Sequence, residues 1–208
     1  MTPNGATYAF FANLKITGQS MSDKRLLFAV CGASGMPLAS CVLKNLRSIE
    51  DLEIHLLISP TARKVFASEG VPDLEKLAHR VYAADDFSAG PASGSWLSLG
   101  MIVCPCSMAS LAAIATGNGS HLIHRAADCM LKERRPLILV PRETPLNRLH
   151  LTNMRAAHDA GAVIMPFMPA FYTGQRDLEH LARQFSGRLV DQLGIPHQLC
   201  VRWQDNQS

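Results

Sequence analysis

No apolar run in this chain of 208 residues approaches the ~20 residues needed to span a bilayer. The segment from Tyr8 to Leu14 is short and lacks a basic leader, which makes it a poor signal peptide. Charge of one sign is scarce as well. The formal net charge is +3, and no basic run extends beyond Lys132 to Arg135, which argues against a nucleic-acid partner. The two Trp and eight His are dispersed, so nothing resembles a stacking platform for bases. Cys pairs of zinc spacing are missing too. Cys104-Pro105-Cys106 is a CxC without a second pair, and the six Cys sit mostly in apolar segments. They read as reduced core thiols of a cytoplasmic protein. Residues 1–23 show no period and read as a flexible extension, or as an upstream start ahead of a natural beginning near Met21. The expected organisation is one folded domain over 24–203 and a short tail at 204–208.

What remains is rich in core-forming residues: 48% hydrophobic against 18% charged. Short apolar runs alternate with helix patterns. Strands are expected at Arg25–Cys31, Glu53–Ile58, Val81–Tyr82, Met101–Cys104, Pro136–Val140 and Ala162–Met165. Helices are expected near Pro37–Leu46, 61–68, Leu74–His79, Met108–Ala115, within His121–Arg135, near Asn147–Ala160 and over Asp177–Leu193. This alternation predicts an α/β domain: a parallel sheet with helices on both faces. The chain is organised around Pro136–Val140, because Arg142 and Glu143 follow its carboxyl end, where ligands of open sheets sit. A cation beside a carboxylate there can anchor an anion and move a proton, or form an ordinary surface pair. Gly32-Ala33-Ser34-Gly35 links the first strand to a helix, which can bring backbone N–H groups to a phosphate or be a tight turn. Pro105-Cys106-Ser107 is expected to open a helix with Ser107 as its cap. Arg125 and Lys132 are seven residues apart and share a helix face. His121 and His124 stand three apart, but no third ligand at fixed spacing supports a metal site. The 85–96 loop is long for a compact domain, a feature more typical of functional loops.

Several motifs coincide: Gly-Ala-Ser-Gly (32–35), Ala-Ser-Gly-Ser (92–95), Pro-Cys-Ser (105–107), Arg-Ala-Ala-Asp (125–128), Leu-Lys-Glu-Arg-Arg-Pro-Leu (131–137), Pro-Arg-Glu-Thr-Pro-Leu (141–146) and Pro-Ala-Phe-Tyr (169–172). Together they resemble the UbiX family of flavin prenyltransferases, from about Arg25 to Trp203. The resemblance implies a single-domain Rossmann-like (flavodoxin-like) fold. It implies transfer of a dimethylallyl group from dimethylallyl phosphate to reduced FMN, without a metal, giving prenylated FMN for a UbiD-type decarboxylase. Gly32, Ala33, Ser34, Ser59, Ser107, Met108, Ala109, Ser110 and Arg142 are implied at the FMN. Arg125, Lys132, Tyr172, Arg188 and Glu69 are implied at the donor phosphate. Ser34 and Glu143 are proton-relay candidates, Lys132 a catalytic cation, and Trp203 a cation–π face for the allyl group. Family members assemble as dodecamers with the site at subunit interfaces, so a homo-oligomer is expected. Met36, Leu38, Pro60 and the His121/His124 pair depart from the family pattern, and bulky Met36 can crowd a flavin. The alternatives are an FMN-binding paralogue that carries flavin without prenyl transfer, and a flavin-dependent cysteine-type decarboxylase. The first should lack the phosphate-binding cations; the second should carry a His soon after the second strand. Neither feature is present.

Overall fold

Six strands form one parallel sheet: β1 (Arg25–Val30), β2 (Glu53–Ile58), β3 (Arg80–Tyr82), β4 (Gly100–Cys106), β5 (Leu137–Pro141) and β6 (Val163–Ile164). Their order across the sheet is β3-β2-β1-β4-β5-β6. The computed structural model describes residues 24–71, 73–174 and 176–203, so the expected extension at 1–23 and the tail at 204–208 lie outside the described residues. The helices are α1 (Met36–Arg47), α2 (Pro60–Glu69), α3 (Met108–Thr116), α4 (Leu122–Lys132), α5 (Arg148–Asp159) and α6 (Leu178–Gln192). Among the described residues, no helix is long and apolar enough to cross a membrane.

The alternation of side chains along β1 explains the two layers. Leu26, Phe28 and Val30 face a core built with α1 and α6, while Leu27, Ala29 and Cys31 face one built with α3 and α4. A strand buried on both faces is a continuous apolar run, as the sequence predicts. Cutting Leu26, fully buried, back to Ala costs about 2–5 kcal/mol by cavity formation. α6 lies on α1, tied by the Asn45 amide donating to Ser186 Oγ at 3.1 Å.

β1 pairs on either side with β2 and β4, and the strand order reverses between β1 and β4. In such sheets the crevice at that switch point, at the carboxyl ends of the strands, is where ligands bind.

Two expectations change. Pro105 and Cys106, expected beyond the end of the strand, continue β4, while α3 starts at Met108 behind its Ser107 cap, as expected. Proline is tolerated at this strand end because its missing N–H is not needed there. The register of β4 against β5 shifts between Val103 and Cys106. That shift sends Cys104 into the α1/α6 core and Cys106 into the α3/α4 core. The CxC thiols therefore face opposite layers and do not share a metal. Burial pushes Cys104 up to about 12 and Cys106 well above the usual thiol range. The second change is the segment Leu74–His79, which is a short 3-10 turn over Leu74–Leu77.

Candidate functional site

The switch point is built by loops that need small residues. A Cβ on Gly32 would stand 2.4 Å from the Thr61 side chain, so only glycine lets this loop press against the start of α2. Gly35 has φ 114, a conformation that glycine adopts freely, and it caps α1 without a side-chain acceptor. The first-turn amides of α1 are thus open to an anion, and Glu69 supplies one. The Gly35 N–H reaches Glu69 Oε2 at 3.0 Å and the Met36 N–H reaches it at 2.8 Å. The phosphate cradle expected from Gly-Ala-Ser-Gly is, in this chain, held by a carboxylate at the positive end of a helix.

Burial pushes the Glu69 carboxyl up. The Ser34 hydroxyl, the amides of Met36 and Gly35, and the Arg142 charge outweigh it and hold the group below its ordinary range. Arg142 is anchored in turn, its Nε–H donating to the Ser34 carbonyl at 3.1 Å. Its backbone N–H donates to the Cys106 carbonyl at 3.2 Å, which fastens the end of β5 to the end of β4. Ser34 and Arg142, from two loops, and Glu69, from the last turn of α2, form one connected cluster.

α3 contributes the other wall. Ser107 Oγ accepts the Ser110 N–H at 3.3 Å and donates to Ser110 Oγ at 3.2 Å. The Leu111 N–H is taken by the Ser107 carbonyl at 2.9 Å. That leaves the Met108 and Ala109 amides, the first two of the helix, without an intrahelical acceptor. Ser59 caps α2 by accepting the Ala62 N–H at 3.1 Å and is 5% exposed. Met36 is fully buried among α1, α2 and α6 residues, so its bulk fills the core rather than the mouth of the site.

Behind α3 lies His124. Its Nδ1 accepts the Ser120 N–H at 3.2 Å, so Nε2 carries the proton and faces Ser110 Oγ at 3.3 Å. Burial, then the neighbouring His121, lowers His124 to about 4. The two imidazoles stack with centroids 3.7 Å apart. Both nitrogens of His124 are engaged, whereas His121 Nδ1 is buried without a hydrogen-bond partner among the described residues.

The remaining candidates lie elsewhere in the chain. Arg125 and Lys132 project from α4 towards one segment of the 85–96 loop. Arg125 Nε–H donates to the Ala92 carbonyl at 2.9 Å, and its NH1 pairs with Asp128 at 2.7 Å. Lys132 pairs with Glu133 and stands against Gly94, where any Cβ would collide with it. Arg135 donates to the carbonyls of Gly94 and Trp96 at 2.7 and 2.8 Å, completing the pinning of this loop. α4 descends from the carboxyl edge at its His121 end to the amino edge, so Lys132 ends beside the start of β5, away from the switch point. Tyr172, Arg188 and Trp203 belong to the opposite layer, on and around α6. Arg188 pairs with Asp191 at 2.6 Å, and Tyr172 meets Trp203 edge-on with centroids 5.0 Å apart. Glu143 is exposed on the turn after β5, where its carboxylate accepts the Thr144 N–H at 3.0 Å.

One chain therefore brings Ser34, Glu69, Arg142 and the 107–110 cap together, but keeps the α4 cations and the α6 group on opposite layers. Sequence reasoning missed Gln184 and Asp191, which hold Tyr172 and Arg188 respectively. The available signal was a long polar residue, Gln184, on the face of α6 that also carries Ala182, Phe185, Leu189 and Val190. Among the described residues, one cluster has metal-ligand types: Asp191, His197 and Cys200. Two guanidiniums, from Arg188 and Arg202, already sit on the Asp191 carboxylate, which makes it an ion-pair hub rather than a cation site.

The flavoprotein family model matches residues 14–183. A flavin prenyltransferase UbiX of Deinococcus radiodurans is 43% identical over 187 residues, covering 88% of this chain and 95% of that protein. Among solved structures, AnUbiX in complex with FMN and dimethylallyl pyrophosphate is 42% identical with TM-score 0.83, covering 88% of this chain and 98% of that one. A dodecameric FMN-dependent UbiX-like decarboxylase from Escherichia coli is 39% identical with TM-score 0.82, covering 86% and 99%.

Proposed function

The chain belongs to the flavoprotein family and, within it, to the UbiX flavin prenyltransferases, and from that membership we propose that it joins a dimethylallyl group from dimethylallyl phosphate to reduced FMN. The observation that carries this reading is the Ser34–Glu69–Arg142 cluster at the switch point, flanked by the open amides of α3. The donor set suits an anionic, hydrogen-bonding cofactor. The Met108 and Ala109 amides and the Arg142 guanidinium would hold FMN, with Ser59, Ser107 and Ser110 fixing the loops beside it. When bound, reduced FMN supplies the electron-rich ring that takes up the allyl carbon.

The chain's residues act on the other partner. The allylic C–O bond breaks with its electron pair going to phosphate, so negative charge grows on oxygen and positive charge on carbon. Arg125, Lys132, Arg188 and the Tyr172 hydroxyl stabilise the first. The Trp203 face stabilises the second. Glu143 and Ser34 move the proton that balances the transfer. The two sets of cations lie on opposite layers of one chain, so we infer that a complete donor site uses residues from neighbouring copies, in a homo-oligomer like the dodecameric Escherichia coli structure. The product, prenylated FMN, would pass to a UbiD-type decarboxylase.

The direct test is anaerobic incubation of the protein with FMN, a reductant and dimethylallyl phosphate or the diphosphate, followed by mass spectrometry of the extracted flavin. A flavin heavier by one five-carbon prenyl unit is the expected result. Unchanged, bound FMN with both donors would reject prenyl transfer.

A further inference from the structure

The segment from His197 to Trp203 has no regular secondary structure, yet it is fastened along α6 at nearly every turn of the helix. His197 Nδ1 takes the Leu199 N–H at 3.0 Å, so Nε2 bears the proton and donates to Asp191 Oδ1 at 3.0 Å. Leu199 enters the α1/α6 core. Cys200 lies on Gly187, where a Cβ would come within 2.6 Å of its own Cβ. One step further along, Gln184 binds both backbone groups of Val201. Its Oε1 accepts the Val201 N–H at 2.9 Å and its Nε2 donates to the Val201 carbonyl at 2.9 Å. The second hydrogen of Nε2 goes to the Tyr172 hydroxyl oxygen at 3.2 Å.

This arrangement leaves no freedom in the amide. Accepting from Val201 fixes which atom is oxygen, and the two donors are then committed. Gln184 is 7% exposed, so losing a partner would strand a buried polar group. The consequence reaches the Tyr172 hydroxyl: because its oxygen accepts from Gln184, its own proton points outward. The same amide holds the strap whose Trp203 packs edge-on against the Tyr172 ring. Two residues far apart in the chain are set by one side chain of α6.

We propose that Gln184 is the positioning residue that locks Tyr172 and Trp203 into one unit and aims the Tyr172 hydroxyl proton at the donor phosphate. This rests on the reading of Tyr172 and Trp203 as donor-site residues. Gln184 touches neither donor nor flavin; it acts through Tyr172 and the strap.

Gln184→Met keeps the length and packing of the side chain and removes the amide. In the full-length protein it should raise KM for dimethylallyl phosphate about tenfold, the effect of losing one or two hydrogen bonds, with FMN affinity unchanged. It should also speed trypsin cleavage after Arg202 by about the same factor, followed by intact mass. In a Tyr172→Phe background its effect on KM should shrink, because the two residues act as one unit. An unchanged KM and an unchanged cleavage rate, with only a lower melting temperature, would overturn the proposal. Should Gln184→Met fail to fold, Val201→Pro removes the N–H that Gln184 accepts, at an exposed residue. It must then raise KM in the same way, and an unchanged KM overturns the assignment. A wild-type protein that makes no prenylated flavin would sink the functional reading itself, whereas an active wild type with an indifferent Gln184→Met sinks only the positioning role.

Discussion

The carboxyl edge of β1 and the outer face of α4 hold similar chemistry, a cation beside a carboxylate, in opposite ways. At the edge of β1, Arg142 and Glu69 are 73 positions apart in sequence and meet through the Ser34–Gly35 backbone. On α4 the pairs are local: Arg125 with Asp128, Lys132 with its neighbour Glu133, all exposed. A long-range cluster can exist only in the folded chain, so it fixes the geometry of the crevice. A local exposed pair contributes roughly 0–1 kcal/mol and yields to a better anion at little cost. The first region is fixed by the fold; the second is held only by local, exposed pairs.

That comparison breaks most visibly at the cations. Lys132→Ala should lower affinity for dimethylallyl phosphate by about 100-fold, the scale of removing one partner of a charge-assisted contact, and leave FMN binding unchanged. Mixing it with Arg188→Ala subunits should restore part of the activity that neither variant has alone. Mixed oligomers with no recovery would place both cations in one subunit's site.

A smaller effect sharpens it. Glu69→Gln keeps an acceptor but removes the charge shared by Ser34, two amides and Arg142. It should cost about 1–2 kcal/mol of folding free energy in urea melts. Asp128→Ala, which breaks the exposed α4 pair, should cost less than about 0.5 kcal/mol. Equal losses would mean that the two regions are held alike.

A third effect is in pH. His124 is lowered to about 4 by burial and by His121, against about 6.5 in an unfolded chain. Between those values the unfolded state binds the proton and the folded state does not, so stability is full above pH 6.5 and falls as pH drops towards 4. Glu69, held below its ordinary range, adds to the loss at the acid end because its contribution fades as the carboxylate is protonated. Urea midpoints between pH 7.5 and 4 should show this slope, and His124→Asn should flatten it. An unaltered slope would place the titration elsewhere.

Much of the frame was readable from the chain. The bounds of β2 are as expected, and α6, expected over Asp177–Leu193, runs from Leu178 to Gln192 with those two residues as its caps. Long apolar runs and an acidic cap are local signals. The end of β4 is less legible, because Pro105 reads locally as the approach to a helix, while the strand's end is set by the pairing of Cys106 with Pro141 across the sheet and by the register shift. The same divide runs through the site. Ser34, Arg142 and the α4 cations sit in motifs that a sequence displays. Gln184 and Asp191 matter for what they touch 11 or more residues away, and the sequence offers at most a polar residue on the α6 face as a sign of it.

The packing of α6 on α1 also sets a schedule. The Asn45–Ser186 bond closes a separation of 141 residues. A ribosome adding 5–20 residues per second needs roughly 7–28 s to cover that distance. During this interval the α1 face of the nascent sheet, with Val42, Leu43 and Leu46, has no α6 above it. Newborn chains thus present a sticky surface to the cell's chaperones until their last helix emerges, and slowing translation late in the message would lengthen that exposure.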